Sequence, residues 1–388
     1  MIKRLLGLLH RRANSAVQPV MPVFERKEPA NASPSEQATE STLPAAAVVI
    51  QPDHLSDVTF ASLPLHPSLH SSVSKLGFTY CTPIQAQTLP LALAGYDLAG
   101  QAQTGTGKSA AFLLATMHRL LTESRKPGDD GKSPRALMLA PTRELAIQIF
   151  KDAEGLGAGS GLRMTVCYGG AGYETQRAAI ESGLDILIGT PGRLIDFLKQ
   201  GTYTLKHAEV LVLDEADRMF DLGFIDDIRY LIRKMPPPAA RKNYLFSATL
   251  SQRVLELAFE HMNEPKRVSI EPEKITADRV RQSMIHVAND EKLALLVGLL
   301  RGHDPFRTLV FVNTKRTAEE LENGLRANGF QANVLSGDVA QTRRIKLLDD
   351  FKEGRLPILV ATDVAARGLH IPGVSHVINY DLPQDRED

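Results

Sequence analysis

The chain has 388 residues, with 45 basic and 45 acidic side chains and 43% apolar residues. This length and apolar content suffice for two globular domains, and the balanced charge excludes nucleic-acid binding through net charge alone, so any such binding needs a local basic face. Two cysteines, Cys81 and Cys167, exclude a disulfide scaffold and predict a cytoplasmic protein. No apolar run approaches the roughly 20 residues of a membrane-spanning helix.

The first 56 residues differ in composition from the rest. Residues 1–12 combine basic side chains with leucines, and their apolar stretch is too short for a secretory signal. Two interpretations stay open: a frayed basic start, or a short amphipathic helix that contacts a membrane, RNA or a protein. Pro, Ala, Ser, Gln and Glu dominate residues 13–57. We therefore predict a disordered extension over residues 1–56.

Order is predicted to begin near Phe60, and helices alternate with short apolar runs up to about Ile270. Helical spacing covers residues 66–76, a second helix opens at Thr82 and Pro83, and a third covers 109–121. The predicted strands are 135–140, 163–168, 185–189, 210–213 and 243–247. This alternation predicts an α/β fold with a doubly wound parallel sheet, whose ligand sites lie at the carboxyl ends of the strands.

A glycine-rich loop stands between a short apolar run and the third predicted helix. Its residues are Ala102, Gln103, Thr104, Gly105, Thr106, Gly107, Lys108 and Ser109. Glycines let successive backbone N–H groups turn toward one anion, and the helix N-terminus and Lys108 add positive charge. The loop therefore predicts a phosphate-binding site, with the Ser109 hydroxyl available to Mg²⁺. Alanine at position 102 departs from the glycine of the strict pattern.

Two carboxylates follow the apolar run 210–213 directly. Asp214 is a candidate ligand of Mg²⁺, and Glu215 a candidate to orient the water that attacks the nucleotide. An acidic helix start in solvent is the alternative interpretation, because carboxylates favour helix N-termini. The four apolar residues before the pair argue against it.

The sequence Asp-Glu-Ala-Asp at 214–217, together with the loop, resembles the DEAD-box RNA helicases. Further matching segments are 82–85 with Phe60 and Phe78, 141–146, 169–170, 190–193 and 247–249. The resemblance implies two RecA-like domains that use ATP and Mg²⁺ to open RNA duplexes. It also implies that Gln85 reads adenine beside Phe60 and Phe78, that Lys108 is catalytic, and that Ser247 and Thr249 couple hydrolysis to strand separation.

Some of these assignments have a physical basis of their own. The amide of Gln85 can donate to and accept from adenine, which predicts a preference for ATP over GTP. Arginines after strands, beside Pro or Gly, can meet phosphates together with backbone amides. The predicted RNA contacts in the first domain are Pro141, Thr142, Arg143, Gly170, Thr190, Pro191, Gly192 and Arg193. Backbone contacts carry little sequence information, so binding is expected to tolerate any RNA sequence and to weaken with salt.

A second domain is predicted over 281–388, after a first domain over 57–270 and a polar linker at 271–280. Its predicted strands are 283–287, 308–313, 332–335 and 358–361. The repeated pattern predicts a second doubly wound domain that faces the first across a cleft. By resemblance, the candidate RNA contacts here are Thr314, Gln341, Arg344 and Thr362.

Two residues depart from the family pattern. Ser336 stands where many members have His, and His370 where most have Asp, a residue that approaches the ribose. Residues 365–372, 218–224 and 337–341 nevertheless resemble the RhlB branch of bacterial members, so we interpret His370 as a trait of that branch. The resemblance implies a role in RNA turnover, with RNase E of the RNA degradosome as a partner.

The sequence stops at Asp388, after a run at 377–383 that resembles the one before the family's arginine-rich last motif. Such arginines contribute about a thousandfold or more in rate. On this interpretation the second domain is truncated, and the chain is expected to bind ATP and to hydrolyse it poorly.

Three functions remain in competition. The first is an ATP-dependent RNA helicase, and the second is an ATP-regulated RNA or protein clamp with little or no turnover. The third is a DNA translocase with the same two ATP-hydrolysing domains. The segment around Gln85 and the literal Asp-Glu-Ala-Asp sequence argue against this third function. Stimulation of ATP hydrolysis by RNA and by DNA of equal length separates the first from the third.

Overall fold

The computed structural model describes residues 55–103, 105–129, 131, 133–270, 281–303, 306–362, 365, 371 and 373–382. Several predictions fall outside these residues. They are the disordered extension up to residue 54, Thr104 of the loop, the linker 271–280, residues 366–368, and His370.

The first domain is built on a parallel sheet that has seven strands within the described residues. They are β1 (Leu98–Gln101), β2 (Ala136–Leu139), β3 (Met164–Cys167), β4 (Ile186–Gly189), β5 (Val210–Leu213), β6 (Lys242–Ser247) and β7 (Lys266–Ser269). The strands pair in the order β3-β4-β2-β5-β6-β1-β7, and every pairing is parallel. All seven therefore end at the same edge of the sheet.

Helices precede this sheet and connect its strands. They are α1 (Pro67–Lys75), α2 (Pro83–Leu93), α3 (Lys108–Thr122), α4 (Arg143–Leu156), α5 (Tyr173–Glu181), α6 (Pro191–Lys199), α7 (Ala216–Asp221), α8 (Ile225–Ile232) and α9 (Gln252–His261). Proline begins α1, α2 and α6, where its missing N–H has no helical partner to lose. Thr142 caps α4, because its hydroxyl accepts from the backbone N–H of Leu145 at 3.2 Å.

Both faces of the first sheet are buried. In β2, Ala136 and Met138 belong to the hydrophobic core on one face, while Leu137 and Leu139 belong to the core on the other. Successive side chains of a strand point to opposite faces, so a continuous apolar run supplies both cores. This explains why the strands read as unbroken apolar segments and not as alternating ones.

The second domain repeats this arrangement around a smaller sheet. Its described strands are β8 (Thr308–Val312), β9 (Ala332–Leu335), β10 (Ile358–Thr362) and β11 (His376–Asn379), and its helices are α10 (Lys292–His303), α11 (Lys315–Ala327) and α12 (Gln341–Lys352). The strands pair in parallel in the order β11-β8-β10-β9. Two parallel sheets with alternating helices confirm the predicted RecA-like fold class.

The predicted strand at 283–287 is wrong. Met284 and Ile285 lie in an irregular segment and are 75% and 51% exposed. A β pattern becomes a strand only where a neighbouring strand offers hydrogen bonds, and this segment pairs with none in the described part of the chain. We predicted no strand at β7 or at β11. In β7, Lys266 and Arg267 are exposed and Val268 is the one buried residue, so this edge strand lacks the apolar run from which strands were predicted elsewhere.

Both cysteines of the chain lie in the interior of the first domain. Cys81 and Cys167 are buried and free, and burial raises their pKa values to about 11 and about 12. Both therefore remain thiols at neutral pH. Across the described ranges, no helix has the length and apolar composition that crossing a bilayer requires.

A buried carboxylate ties three segments of the first domain together. Asp97 lies just before β1 and is 2% exposed. Its Oδ1 accepts from the backbone N–H of Asn243 at 3.1 Å, and its Oδ2 accepts from Asn243 Nδ2 at 2.6 Å and from the N–H of Asn263 at 2.7 Å. These bonds join the starts of β1 and β6 to the segment that leads into β7.

We expect Asp97→Ala to lower the free energy of unfolding by about 3 kcal/mol, because it leaves three donors without their acceptor in the interior. Urea unfolding followed by circular dichroism measures this loss. Asp226→Ala is the control, since Asp226 is exposed on α8. Equal stability of the two variants would contradict the structural role of Asp97.

Candidate functional site

Three predicted segments follow three adjacent strands. The glycine-rich loop follows β1, Asp214 and Glu215 follow β5, and Ser247 ends β6, which pairs with both of the other strands. Because the strands are parallel, residues far apart in sequence meet at one edge. The structure thus brings the predicted nucleotide-binding residues together.

The loop is held in shape by its own polar groups. Lys108 is 5% exposed, and its Nζ donates to the carbonyl of Ala102 at 2.8 Å. The Thr106 hydroxyl donates to the carbonyl of Gln103 at 2.7 Å. Gly105 and Gly107 have φ values of 82° and 88°, a region that favours glycine. Gln103 and Gly105 are exposed, and Ser109 lies in the first turn of α3.

Gln85 contacts this loop directly. Its Oε1 accepts from the backbone N–H of Thr82 at 2.9 Å, and its Nε2 donates to the carbonyl of Gly107 at 2.9 Å. A Cβ added to Gly107 would lie 2.4 Å from that Nε2, so only glycine allows this approach. The amide predicted to read adenine is thus linked to the phosphate-binding loop; its contact with adenine stays a prediction.

The two aromatic candidates differ in exposure. Phe60 is 3% exposed and belongs to the core, whereas Phe78 is 48% exposed. Their ring centroids lie 6.4 Å apart. Of the pair, Phe78 has the larger surface to offer a base, and Phe60 supports it from the core side.

The carboxylates after β5 are buried. Burial raises the pKa of Asp214, which is 2% exposed, to about 7, while Lys108 works in the opposite direction. Burial also raises the pKa of Glu215, opposed by Arg218 and Lys108. Glu215 has a left-handed backbone (φ 52°), and its Oε2 makes no hydrogen bond with the described residues, although Arg218 Nη1 lies 3.6 Å away.

Asp217 links the acidic segment to the segment after β6, and sequence reasoning did not include it among the site residues. Its Oδ2 accepts from the backbone N–H of Thr249 at 2.9 Å and from the Thr249 hydroxyl at 3.1 Å. Its backbone N–H donates to the Ser247 hydroxyl at 3.1 Å. The exposed Thr249 is therefore held by the same acidic segment that carries Asp214 and Glu215.

The other half of the same edge carries the predicted RNA contacts. Pro141, Thr142 and Arg143 follow β2, Gly170 follows β3, and Thr190, Pro191, Gly192 and Arg193 follow β4. These strands are adjacent, in the order β3-β4-β2. The edge thus has two halves. The ends of β1, β5 and β6 carry the predicted nucleotide-binding residues and form the nucleotide half, and the ends of β2, β3 and β4 carry the predicted RNA contacts, including Arg143 and Arg193.

Arg143 lies against the glycine pair. Gly170 has a φ of 92°, and a Cβ added to it would lie 2.6 Å from Arg143 Nη1. Glycine at this position therefore lets the guanidinium approach the backbone. Arg193 is held by two rings instead: its guanidinium lies 4.9 Å from the centroid of Tyr173 and 5.5 Å from that of Phe197.

Glu144 joins the two domains and was also missed. Its Oε1 lies 2.6 Å from Arg344 Nε and accepts from Gln341 Nε2 at 3.0 Å. Arg143 Nη1 donates to Gln341 Oε1 at 3.0 Å. Arg344 also donates to the carbonyl of Ala365 at 2.6 Å. Gln341 and Arg344 thus contact the first domain, and their contact with RNA stays a prediction.

The other candidates in the second domain lie at strand ends. Thr314 follows β8, is exposed, and caps α11 through a bond from the N–H of Thr317 at 3.1 Å. Thr362 ends β10 and is 7% exposed. Because β8 and β10 are paired, the two threonines lie at the same edge of the second sheet.

Residues 82–257 match the DEAD/DEAH box helicase family, and residues 291–388 match the conserved C-terminal domain of helicases. Together the two regions cover more than half of the chain. The chain belongs to the DEAD/DEAH box helicase family. As a DEAD-box helicase it is an enzyme that uses ATP, and the predicted resemblance is confirmed.

Curated relatives support this assignment. The chain is 57% identical over 339 residues to the ATP-dependent RNA helicase RhlB of Haemophilus influenzae, covering 87% of this chain and 81% of the relative. It is 59% identical to RhlB of Xanthomonas oryzae, covering 86% of this chain and 58% of that longer relative. The DEAD-box helicase is therefore RhlB-like in sequence.

Solved structures agree with the fold. S. cerevisiae Dbp5 bound to RNA and ADP BeF3 matches with a TM-score of 0.73 and 31% identity, over 85% of this chain and 82% of that one. A DEAD box protein from Methanococcus jannaschii matches with a TM-score of 0.50 and 34% identity, over 85% and 86% of the two chains. Both matches extend over both domains of the DEAD-box helicase.

We expect Glu144→Gln to weaken the contact between the two domains, because it keeps the shape of the side chain and removes the charge that Arg344 faces. Single-molecule energy transfer between dyes attached to the two domains measures the change. We expect a larger fraction of molecules with low transfer efficiency, in which the two domains are apart. Glu154→Gln is the control, since Glu154 is exposed on the same helix. An unchanged distance distribution would exclude this contribution from Glu144.

Proposed function

We propose that the chain is an ATP-dependent RNA helicase that locally opens RNA duplexes in RNA turnover. The observation that carries the proposal is the shared edge of the first sheet, where the nucleotide half adjoins the half with Arg143 and Arg193. Asp217 connects the acidic segment to Ser247 and Thr249 within that edge. A change at the phosphates can thereby reach neighbouring segments through a few hydrogen bonds.

ATP is the proposed nucleotide. The loop 102–109 binds its phosphates through backbone N–H groups and Lys108, and Gln85 reads the adenine. In the structure Lys108 Nζ and Gln85 Nε2 donate to loop carbonyls. Both donors can exchange these carbonyls for acceptors on the nucleotide.

Mg²⁺ fits the residues present. Asp214 is a buried carboxylate whose pKa burial raises to about 7, so a nearby divalent cation would stabilise its ionised form. Asp214 and the Ser109 hydroxyl would hold the ion, which would neutralise charge on the phosphates. The described residues contain no group of three or more His, Cys, Asp or Glu that could bind a metal, and Mg²⁺ typically needs only one or two carboxylates beside phosphates.

Glu215 is proposed to orient the water that attacks the terminal phosphate. Its Oε2 is buried and makes no hydrogen bond with the described residues, so it is available to accept one from a water molecule. Burial raises its pKa, which favours proton acceptance at neutral pH. The positive charge of Arg218, whose Nη1 lies 3.6 Å from Glu215 Oε2, partly balances the charge of the ionised carboxylate.

RNA is the proposed polynucleotide. Arg143, Arg193 and the backbone around Gly170 would contact phosphates in the first domain, and Thr314, Gln341, Arg344 and Thr362 in the second. Curated relatives named as RNA helicases and the RNA-bound Dbp5 structure support RNA over DNA. Contacts of this kind position the strand and read little sequence.

The cytoplasm is the proposed compartment, and RNase E of the RNA degradosome the proposed partner. Two buried thiols suit a reducing compartment. The partner rests on the resemblance to the RhlB branch.

We expect Lys108→Ala to lower ATP hydrolysis about a hundredfold or more, since it removes the full positive charge at the phosphates. Release of inorganic phosphate at saturating ATP measures the rate, and Lys206→Ala, at an exposed loop position, is the control. Chelation of Mg²⁺ with EDTA should abolish the activity of the unsubstituted protein. Activity that survives Lys108→Ala would remove the loop from the mechanism.

We expect single-stranded RNA, and not DNA of the same sequence and length, to stimulate ATP hydrolysis. Stimulation should fall as salt rises, because phosphate contacts release counterions. Equal stimulation by DNA would favour a translocase. RNA binding without any turnover would favour an ATP-regulated clamp.

A further inference from the structure

Gln176 is a buried amide in the arginine-bearing half of the edge. It lies in α5 and is 9% exposed. Its Oε1 accepts from the backbone N–H of Tyr168 at 3.2 Å and from Arg193 Nη1 at 3.1 Å. Its Nε2 donates to the carbonyls of Tyr168 at 3.2 Å and Ala171 at 2.9 Å. Both acceptor positions and both donor protons of the amide are therefore used.

These four bonds have a definite geometry. Tyr168 and Ala171 stand on either side of Gly169 and Gly170, so Gln176 clamps the two ends of the glycine turn. Its fourth hydrogen bond is with Arg193, which lies in α6 after the end of β4. One side chain thus fixes the turn after β3 relative to the guanidinium after β4.

The clamped turn in turn supports Arg143. Gly170 is so close to Arg143 Nη1 that an added Cβ would lie 2.6 Å from it, and the φ of 92° at Gly170 must be maintained for that approach. Arg193 is restrained on its other side by the rings of Tyr173 and Phe197. Gln176 thus bonds Arg193 directly and clamps the turn that Arg143 approaches.

We propose that Gln176 is a positioning residue for RNA binding, which acts by holding Arg193 and the Gly169–Gly170 turn in the arrangement that phosphates require. This inference rests on the proposed RNA-binding function. Ordering a long arginine side chain when RNA binds would cost conformational entropy. Because Gln176 already holds Arg193 in the free protein, this preorganisation lowers that cost. Gln176 itself needs no contact with RNA.

The first test is Gln176→Met, which keeps the length of the side chain and removes all four hydrogen bonds. Fluorescence anisotropy with a labelled single-stranded oligoribonucleotide, in the presence of a non-hydrolysable ATP analogue and Mg²⁺, measures the dissociation constant. We expect it to rise roughly tenfold. Affinity for the ATP analogue should not change, because the nucleotide half of the edge does not contact Gln176. Gln200→Met, at an exposed position after α6, is the matched control.

The second test is Gln176→Glu, which keeps the shape of the side chain, and circular dichroism checks that both variants fold. The carboxylate still accepts from Tyr168 and Arg193, but it places an oxygen against the carbonyls of Tyr168 and Ala171. It also neutralises Arg193. We therefore expect weaker RNA binding, with the slope of log affinity against log salt reduced by about one. Wild-type affinity and slope in this variant would overturn the proposal.

A double-mutant cycle distinguishes positioning from general stabilisation. If Gln176 acts through Arg193, Gln176→Met should cost less RNA affinity in an Arg193→Ala background than in the unsubstituted protein. Equal cost in both backgrounds would overturn the link to Arg193. Absence of RNA binding by the unsubstituted protein would refute the proposed function itself, whereas normal binding by Gln176→Met would refute only the role of Gln176.

Discussion

Ser247 holds the nucleotide half of the site together. Its carbonyl accepts from the backbone N–H of Ala102 at 3.0 Å, and its hydroxyl accepts from the N–H of Asp217 at 3.1 Å. The residue is fully buried at the end of β6, between β1 and β5. The phosphate-binding loop and the acidic segment are therefore attached to the same residue. Any movement of one relative to the other requires these bonds to change.

The same edge separates charges of opposite sign. Buried carboxylates follow β5, and arginines follow β2 and β4 on the far side of them. A nucleotide with its cation and a polyanionic strand can thereby bind to neighbouring parts of one rigid sheet without competing for the same groups. Burial raises the pKa values of Asp214 and Glu215; Lys108 opposes the rise at both carboxylates, and Arg218 opposes it at Glu215.

Contacts between the domains use residues that are also proposed to meet RNA. Arg143 bonds to Gln341, and Arg344 pairs with Glu144, which makes Glu144 the acidic centre of this contact. The proposed binding of a phosphate chain would therefore draw on the same side chains as the contact between the domains. This shared use gives a physical route by which RNA and the domain arrangement influence each other.

The sequence by itself determined the fold class and the positions of most strands along the chain, and it predicted the chemistry of the loop and of Asp214 and Glu215, because apolar periodicity and residue type are local properties. It misplaced a strand at 283–287, where the β pattern lacks a pairing neighbour, and it missed β7, whose charges conceal an edge position. Asp217, Glu144 and Gln176 could be recognised only in three dimensions. Their roles depend on partners 32, 197 and 17 positions away, at Thr249, Gln341 and Arg193, which meet only because parallel strands end at a common edge and the first turn of α12 contacts the first turn of α4.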